Sequence, residues 1–140
     1  MKNPIFKGIG TALVTPMTEA GQVDYAAVER LVDFQLQGGI DALIVCATTG
    51  EAPTLQDDEH IEVIRRVAQQ VAGKIPVIAG TGTNNTEHVL HNTRNACEVG
   101  ADAVLVVTPY YNKATQNGLY QHFVTVADTS TVPVILYNVP

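Results

Sequence analysis

The chain is poor in cysteine, in basic residues and in long apolar runs, and each shortage closes off a class of protein. Only Cys46 and Cys97 occur among 140 residues. Two cysteines so far apart make neither a disulfide framework nor a zinc signature, and they read as small buried hydrophobes. Lys and Arg number 8 against 14 Asp and Glu, a net charge of −6. A protein that grips a phosphate backbone needs the opposite balance, so nucleic acid is not an expected partner. No stretch of 18 apolar residues is present, so no membrane span is expected. The segment Met1–Lys7 lacks the apolar core of a signal peptide. With few cysteines, this sets the expectation of a reducing cytoplasm. No linker or low-complexity stretch divides the chain, so a single domain over 1–140 is expected. That length is short for a complete eight-stranded α/β barrel, which takes roughly 200 residues or more.

What the chain does have is rhythm. Five short runs are apolar almost without a break: Thr11–Val14, Ala42–Cys46, Pro76–Ala79, Ala103–Val107 and Pro133–Tyr137. Continuous rather than alternating apolar runs are the pattern of parallel strands covered on both faces. Between them lie four helical patterns. Asp24 is placed to cap the first, with Val28, Leu31, Val32 and Leu36 on its apolar face and Gly38-Gly39 as its stop. Thr54 and Asp57 resemble a capping box for the second, which would bury Ile61, Ile64, Val67, Ala68 and Val71. Asn85 or Thr86 caps the third, with Leu90, Thr93 and Cys97 on one face. Thr115 caps the fourth, with Leu119, Phe123 and Val126. The order is βαβαβαβαβ, an α/β architecture with a βα period of about 30 residues. It fits either part of a barrel or an open, doubly wound five-stranded domain.

In both architectures the chemistry collects at the C-terminal ends of strands. The first and fourth runs close on the same tripeptide, Val14-Thr15-Pro16 and Val107-Thr108-Pro109. The second run ends in Thr48-Thr49-Gly50-Glu51, where hydroxyls and turn amides could hold a small carboxylate without a metal. The third ends in Gly80-Thr81-Gly82, which lacks the third glycine of a dinucleotide fingerprint. The fourth and fifth end in Thr108-Pro109-Tyr110-Tyr111-Asn112 and Tyr137-Asn138-Val139-Pro140. Tyr110, Tyr111 and Tyr137 thus gather at one rim, where phenol and threonine hydroxyls can relay protons. His60, His88, His91 and His122 fall on helices, away from strand ends. His88 and His91 lack an acidic or sulfur partner in sequence, so neither a metal nor another cofactor is expected. A signalling receiver domain would need carboxylates after the first strand and a lysine after the fifth, and both are missing.

These four motifs, in order and in register from Lys7 to Pro140, resemble the dihydrodipicolinate synthase family of pyruvate-dependent class I aldolases. The resemblance implies a (β/α)8 TIM barrel, of which the chain would supply the first five strands and four helices. It implies a homotetramer built as a dimer of dimers. It also implies condensation of pyruvate with aspartate semialdehyde, through a lysine Schiff base and its enamine, toward lysine and diaminopimelate. Tyr137 would move protons on the Schiff-base intermediates. Thr48 would link it to Tyr111, which reaches the neighbouring subunit's site. Thr49 would help bind the pyruvate carboxylate. The Schiff-base lysine and the arginine that meets the semialdehyde fall beyond Pro140, so the chain is expected to be inactive alone. Lysine-inhibited members bind lysine near positions matching Ala52, Pro53, Asp57, His60, Asn84, His88 and Tyr110. His88 stands where a carboxylate would hold the ammonium, and Asp57 also departs from the family pattern, so weak or absent feedback is expected. The alternatives are another pyruvate-dependent aldolase, of the N-acetylneuraminate lyase or sugar-acid type, a doubly wound ligand-binding domain, or a half barrel that works only by association.

Overall fold

The computed structural model describes residues 4–139, so Lys2 and the Pro140 of the last motif lie outside the described residues. Five strands alternate with four helices: β1 Gly10–Ala12, α1 Tyr25–Gln37, β2 Ala42–Val45, α2 Asp57–Val71, β3 Val77–Gly80, α3 Thr86–Glu98, β4 Ala103–Val107, α4 Gln116–Thr129 and β5 Val134–Tyr137. All are within two residues of the sequence pattern at the strands. A short 3-10 turn, Ala52–Thr54, precedes α2.

The helix ends follow local chemistry. Asp24 accepts a hydrogen bond from the Ala27 amide at 2.9 Å, and Asn85 accepts from Glu87 at 3.0 Å. The Thr115 hydroxyl accepts from Gly118 at 3.1 Å. The start of α2 departs from the Thr54–Asp57 expectation. Thr54 belongs to the 3-10 turn, its hydroxyl donating to Glu51 O. The cap shifts two residues on, where the Glu59 carboxylate accepts from the Gln56 amide at 3.0 Å. The turn consumes the threonine before the helix can use it. The helix also turns Val63 fully inward and leaves Ile61 and Ala68 half-buried.

All five strands are parallel, in the order β1-β2-β3-β4-β5. One face of the sheet carries Leu43, Val45, Val77, Ala79, Val104 and Val106, packed against all four helices. Ile64, Val67 and Val126 are fully buried there, each contributing about 1.5–3 kcal/mol. The opposite face carries Ala42, Ile78 and Ala103, flanked by Ile5, Phe6, Ile44, Leu105 and Ile135, and among the described residues no helix packs on it. A doubly wound sheet puts helices on both faces and reverses its strand order. Sequential order with every helix on one side is the layout of a barrel wall. That geometry removes the doubly wound alternative and sends all strand C-termini to one rim.

Candidate active site

Two cavities open at that rim. The larger, about 490 Å³, has mostly apolar walls from Cys46, Ala47, Leu105 and Val107, with Thr48, Thr108, Tyr110 and Tyr137 supplying hydroxyls. The smaller, about 310 Å³, is polar and includes Asp57, His60, Asn84, His88 and Tyr110. Ala52, Pro53, Gly82 and Tyr110 line both and form the wall between them.

Glycines let this floor close. A Cβ on Gly80 would lie 2.7 Å from the Ala47 Cα and would also overlap Cys46 O. Gly82 has as little room against the Val107 backbone. Strands β2, β3 and β4 can therefore end side by side only because no side chain intervenes. Cys46 (φ 52°) and Glu51 (φ 55°) bracket the Thr48-Thr49-Gly50 turn in left-handed backbone, which costs each roughly 1 kcal/mol or more. Burial pushes the Cys46 thiol up to about 12, so it is a packing residue rather than a nucleophile.

The structure brings some of the expected residues together and separates others. Thr48 and Tyr137 share the larger cavity. Thr49 is exposed on the adjoining turn. Tyr111 is 92% exposed, at φ 71°, and is not among the residues that line the cavity. Among the described residues no hydrogen bond joins the hydroxyls of Thr48, Tyr111 and Tyr137. Asn112 anchors the Tyr111 loop by donating from Nδ2 to Asn84 O at 2.7 Å.

Histidines play a larger part than their helical positions imply. His60 is buried on α2, yet its Nε2 donates to Gly80 O at 2.8 Å, at the very end of β3. A carbonyl can only accept, so that bond fixes the Nε2–H tautomer. Burial, first among the causes, lowers the His60 pKa and favours the neutral ring. The Nε2 of His88 meets Asp57 Oδ1 at 2.9 Å across the smaller cavity. His88 thus has an acidic partner that sequence spacing concealed, since Asp57 is 31 residues away. Among the described residues, no group of three or more His, Cys, Asp and Glu could hold a metal ion. No described helix is long and apolar enough to cross a membrane.

Comparison with known proteins agrees with this arrangement. The model of the dihydrodipicolinate synthetase family matches residues 5–140. The chain is 55% identical over 137 residues to 4-hydroxy-tetrahydrodipicolinate synthase of Caldicellulosiruptor saccharolyticus, covering 98% of this chain and 46% of that protein. It superposes on the crystal structure of dihydrodipicolinate synthase from Aquifex aeolicus with a TM-score of 0.93 at 53% identity, covering 96% of this chain and 46% of that one. The Acinetobacter baumannii synthase, solved in complex with pyruvate, matches at 46% identity and a TM-score of 0.93, with 98% and 47% covered. The chain spans about half the length of the curated relatives it matches. Its five strands correspond to part of a barrel, and the chain belongs to the dihydrodipicolinate synthetase family.

Proposed function

We propose that the complete protein condenses pyruvate with aspartate semialdehyde through a lysine-bound enamine, toward lysine and diaminopimelate. The observation that carries this reading is the placement of Thr48 and Tyr137 on one largely apolar cavity at the strand C-termini. A lysine amine entering such a cavity from a later strand is desolvated, which lowers its pKa and frees it to attack the pyruvate C2 carbonyl. Water leaves as the imine forms. Loss of a C3 proton gives the enamine, whose C3 then bonds to the aldehyde carbon. Tyr137 is the group to carry protons in these steps, with Thr48 beside it as the next hydroxyl in the relay. Thr49 and the turn amides take the pyruvate carboxylate.

Tyr111 completes the relay from a second subunit. Its exposure and left-handed backbone suit a side chain held out for a partner copy. The reading includes a homo-oligomer, a tetramer built as a dimer of dimers. Lys7 and Lys74 precede strands at the far rim, and Lys113 sits on an exposed loop, so none of these described lysines meets the cavity. The nucleophile belongs to the part of the relatives that this chain does not span, and the 140 residues alone are inactive.

Reduction with borohydride in the presence of pyruvate tests both statements. Mass spectrometry should find one pyruvyl adduct per subunit on the complete barrel and none on the 140-residue chain. A stoichiometric adduct on the short chain would overturn the assignment of the nucleophile.

A further inference from the structure

Thr15 is the central residue of the first of the two Val-Thr-Pro tripeptides, and it has no part in the cavity lining. Its counterpart Thr108 lines the larger cavity, whereas Thr15 is buried and turned toward the neighbouring turn. The Thr15 hydroxyl donates to Gly50 O at 2.7 Å, a contact spanning 35 residues. The other side of that same peptide unit, the Glu51 amide, donates to Thr48 O at 3.1 Å. The Gly50–Glu51 peptide is therefore clamped on both faces.

The clamp opposes a definite motion. Flipping a peptide plane changes ψ of the residue before it and φ of the residue after it. Here the residue after is Glu51, held at φ 55° in the left-handed region that a glutamate avoids. A flip would return Glu51 to ordinary backbone and turn the Gly50 carbonyl away. It would also break the Glu51–Thr48 bond and release the turn that carries Thr48 and Thr49. Thr15 is the one side chain that holds the Gly50 carbonyl in place among the described residues. Gly50 itself packs closely there, a Cβ on it lying 3.1 Å from both Leu13 O and Thr15 Oγ1.

We propose that Thr15 is a positioning residue for the Thr48-Thr49 turn, acting through the Gly50–Glu51 peptide to keep the carboxylate-binding Thr49 and the turn amides in register. This rests on the reading that the larger cavity takes pyruvate. It locates a determinant of 2-oxo acid affinity on the first strand, outside the cavity lining.

The test uses the complete enzyme and compares Thr15→Ser with Thr15→Ala, which differ by one hydroxyl. Thr15→Ser should keep KM for pyruvate within about twofold of the parent. Thr15→Ala should raise it about tenfold, with kcat changed less, as expected for a lost hydrogen bond that acts on ground-state binding. Adding Glu51→Gly to Thr15→Ala should recover most of the loss, because glycine holds φ 55° without strain. Thermal unfolding confirms that each variant is folded; should Thr15→Ala not fold, Thr15→Val fills the volume without the donor. Equal KM values for the Ser and Ala (or Val) variants would overturn the proposal while leaving the functional reading intact. A parent enzyme that neither turns over nor traps pyruvate would overturn both.

Discussion

Replacing Gly80 by alanine is the sharpest probe of how this rim is built. The substitution adds one methyl group, and the atoms it meets are backbone. Its Cβ would lie 2.7 Å from the Ala47 Cα, about 0.7 Å inside ordinary contact at 3.4 Å, and would overlap Cys46 O as well. No flexible side chain can give way, so the end of β2 or β3 must move. Overpacking of this kind costs roughly 1–3 kcal/mol. Moving Gly80 also strains its carbonyl's bond to His60, worth about 1 kcal/mol. Against this, alanine narrows the unfolded ensemble by about 0.4–1 kcal/mol. The net expectation is a loss of about 1–3.5 kcal/mol, read from urea unfolding followed by circular dichroism. Gly38→Ala is the control. Gly38 has φ −72°, and an added Cβ meets only Gln35 O and Phe34 O at 3.4 Å. With no clash to offset it, this substitution should stabilise by about 0.4–1 kcal/mol. If Gly80→Ala is as stable as Gly38→Ala, the close approach of β2 and β3 is not what forms the cavity floor.

Three further outcomes are expected. His60 and His122 both have pKa values lowered chiefly by burial, so each binds its proton more readily unfolded than folded. Stability should be level above the ordinary histidine range and fall as pH drops below about 6.5, by at most about 1.4 kcal/mol per pH unit for His60 and less for His122, until the lowered folded-state pKa values are passed; denaturation midpoints flat from pH 7 to 5 would contradict this. Tyr137→Phe in the complete enzyme should lower kcat by about 10²–10⁴ with the fold intact, and a steady-state assay showing less than a threefold loss would remove Tyr137 from the proton relay. Free lysine at millimolar concentration should inhibit weakly, because the Asp57 carboxylate is already engaged by His88 and an ammonium ligand must displace that ring; near-complete inhibition in initial-rate measurements would refute this.

Local physics explains which parts of this arrangement the sequence disclosed. Strands that carry apolar side chains on both faces leave continuous apolar runs, and their ends differ from the pattern by at most two residues, although β1 and β5 are only partly buried. Asp24, Asn85 and Thr115 cap helices through bonds only two or three residues long, so spacing alone exposes them. The start of α2 misled because two competing local bonds were available to Thr54, and the 3-10 turn took it. The hydroxyl-bearing rim was legible because parallel strands must deliver their C-terminal ends to one side. Gly80, Thr48 and Tyr137 are placed there by topology rather than by any side-chain signal.

The pairings that tie the rim together were hidden for the opposite reason. His60 to Gly80, His88 to Asp57 and Thr15 to Gly50 bridge separations of 20, 31 and 35 residues. Each crosses from one βα unit to the next, so its register depends on the whole sheet and on no local rule. The first and third end on the turns after β3 and β2, and the second joins the helices that follow those turns. Those turns carry left-handed Cys46 and Glu51 and the two glycines that admit no Cβ. Strain of that kind persists only where surrounding contacts over-determine it. The long-range bonds supply that constraint, and they fix the turns at the rim where Thr48 and Tyr137 line one cavity.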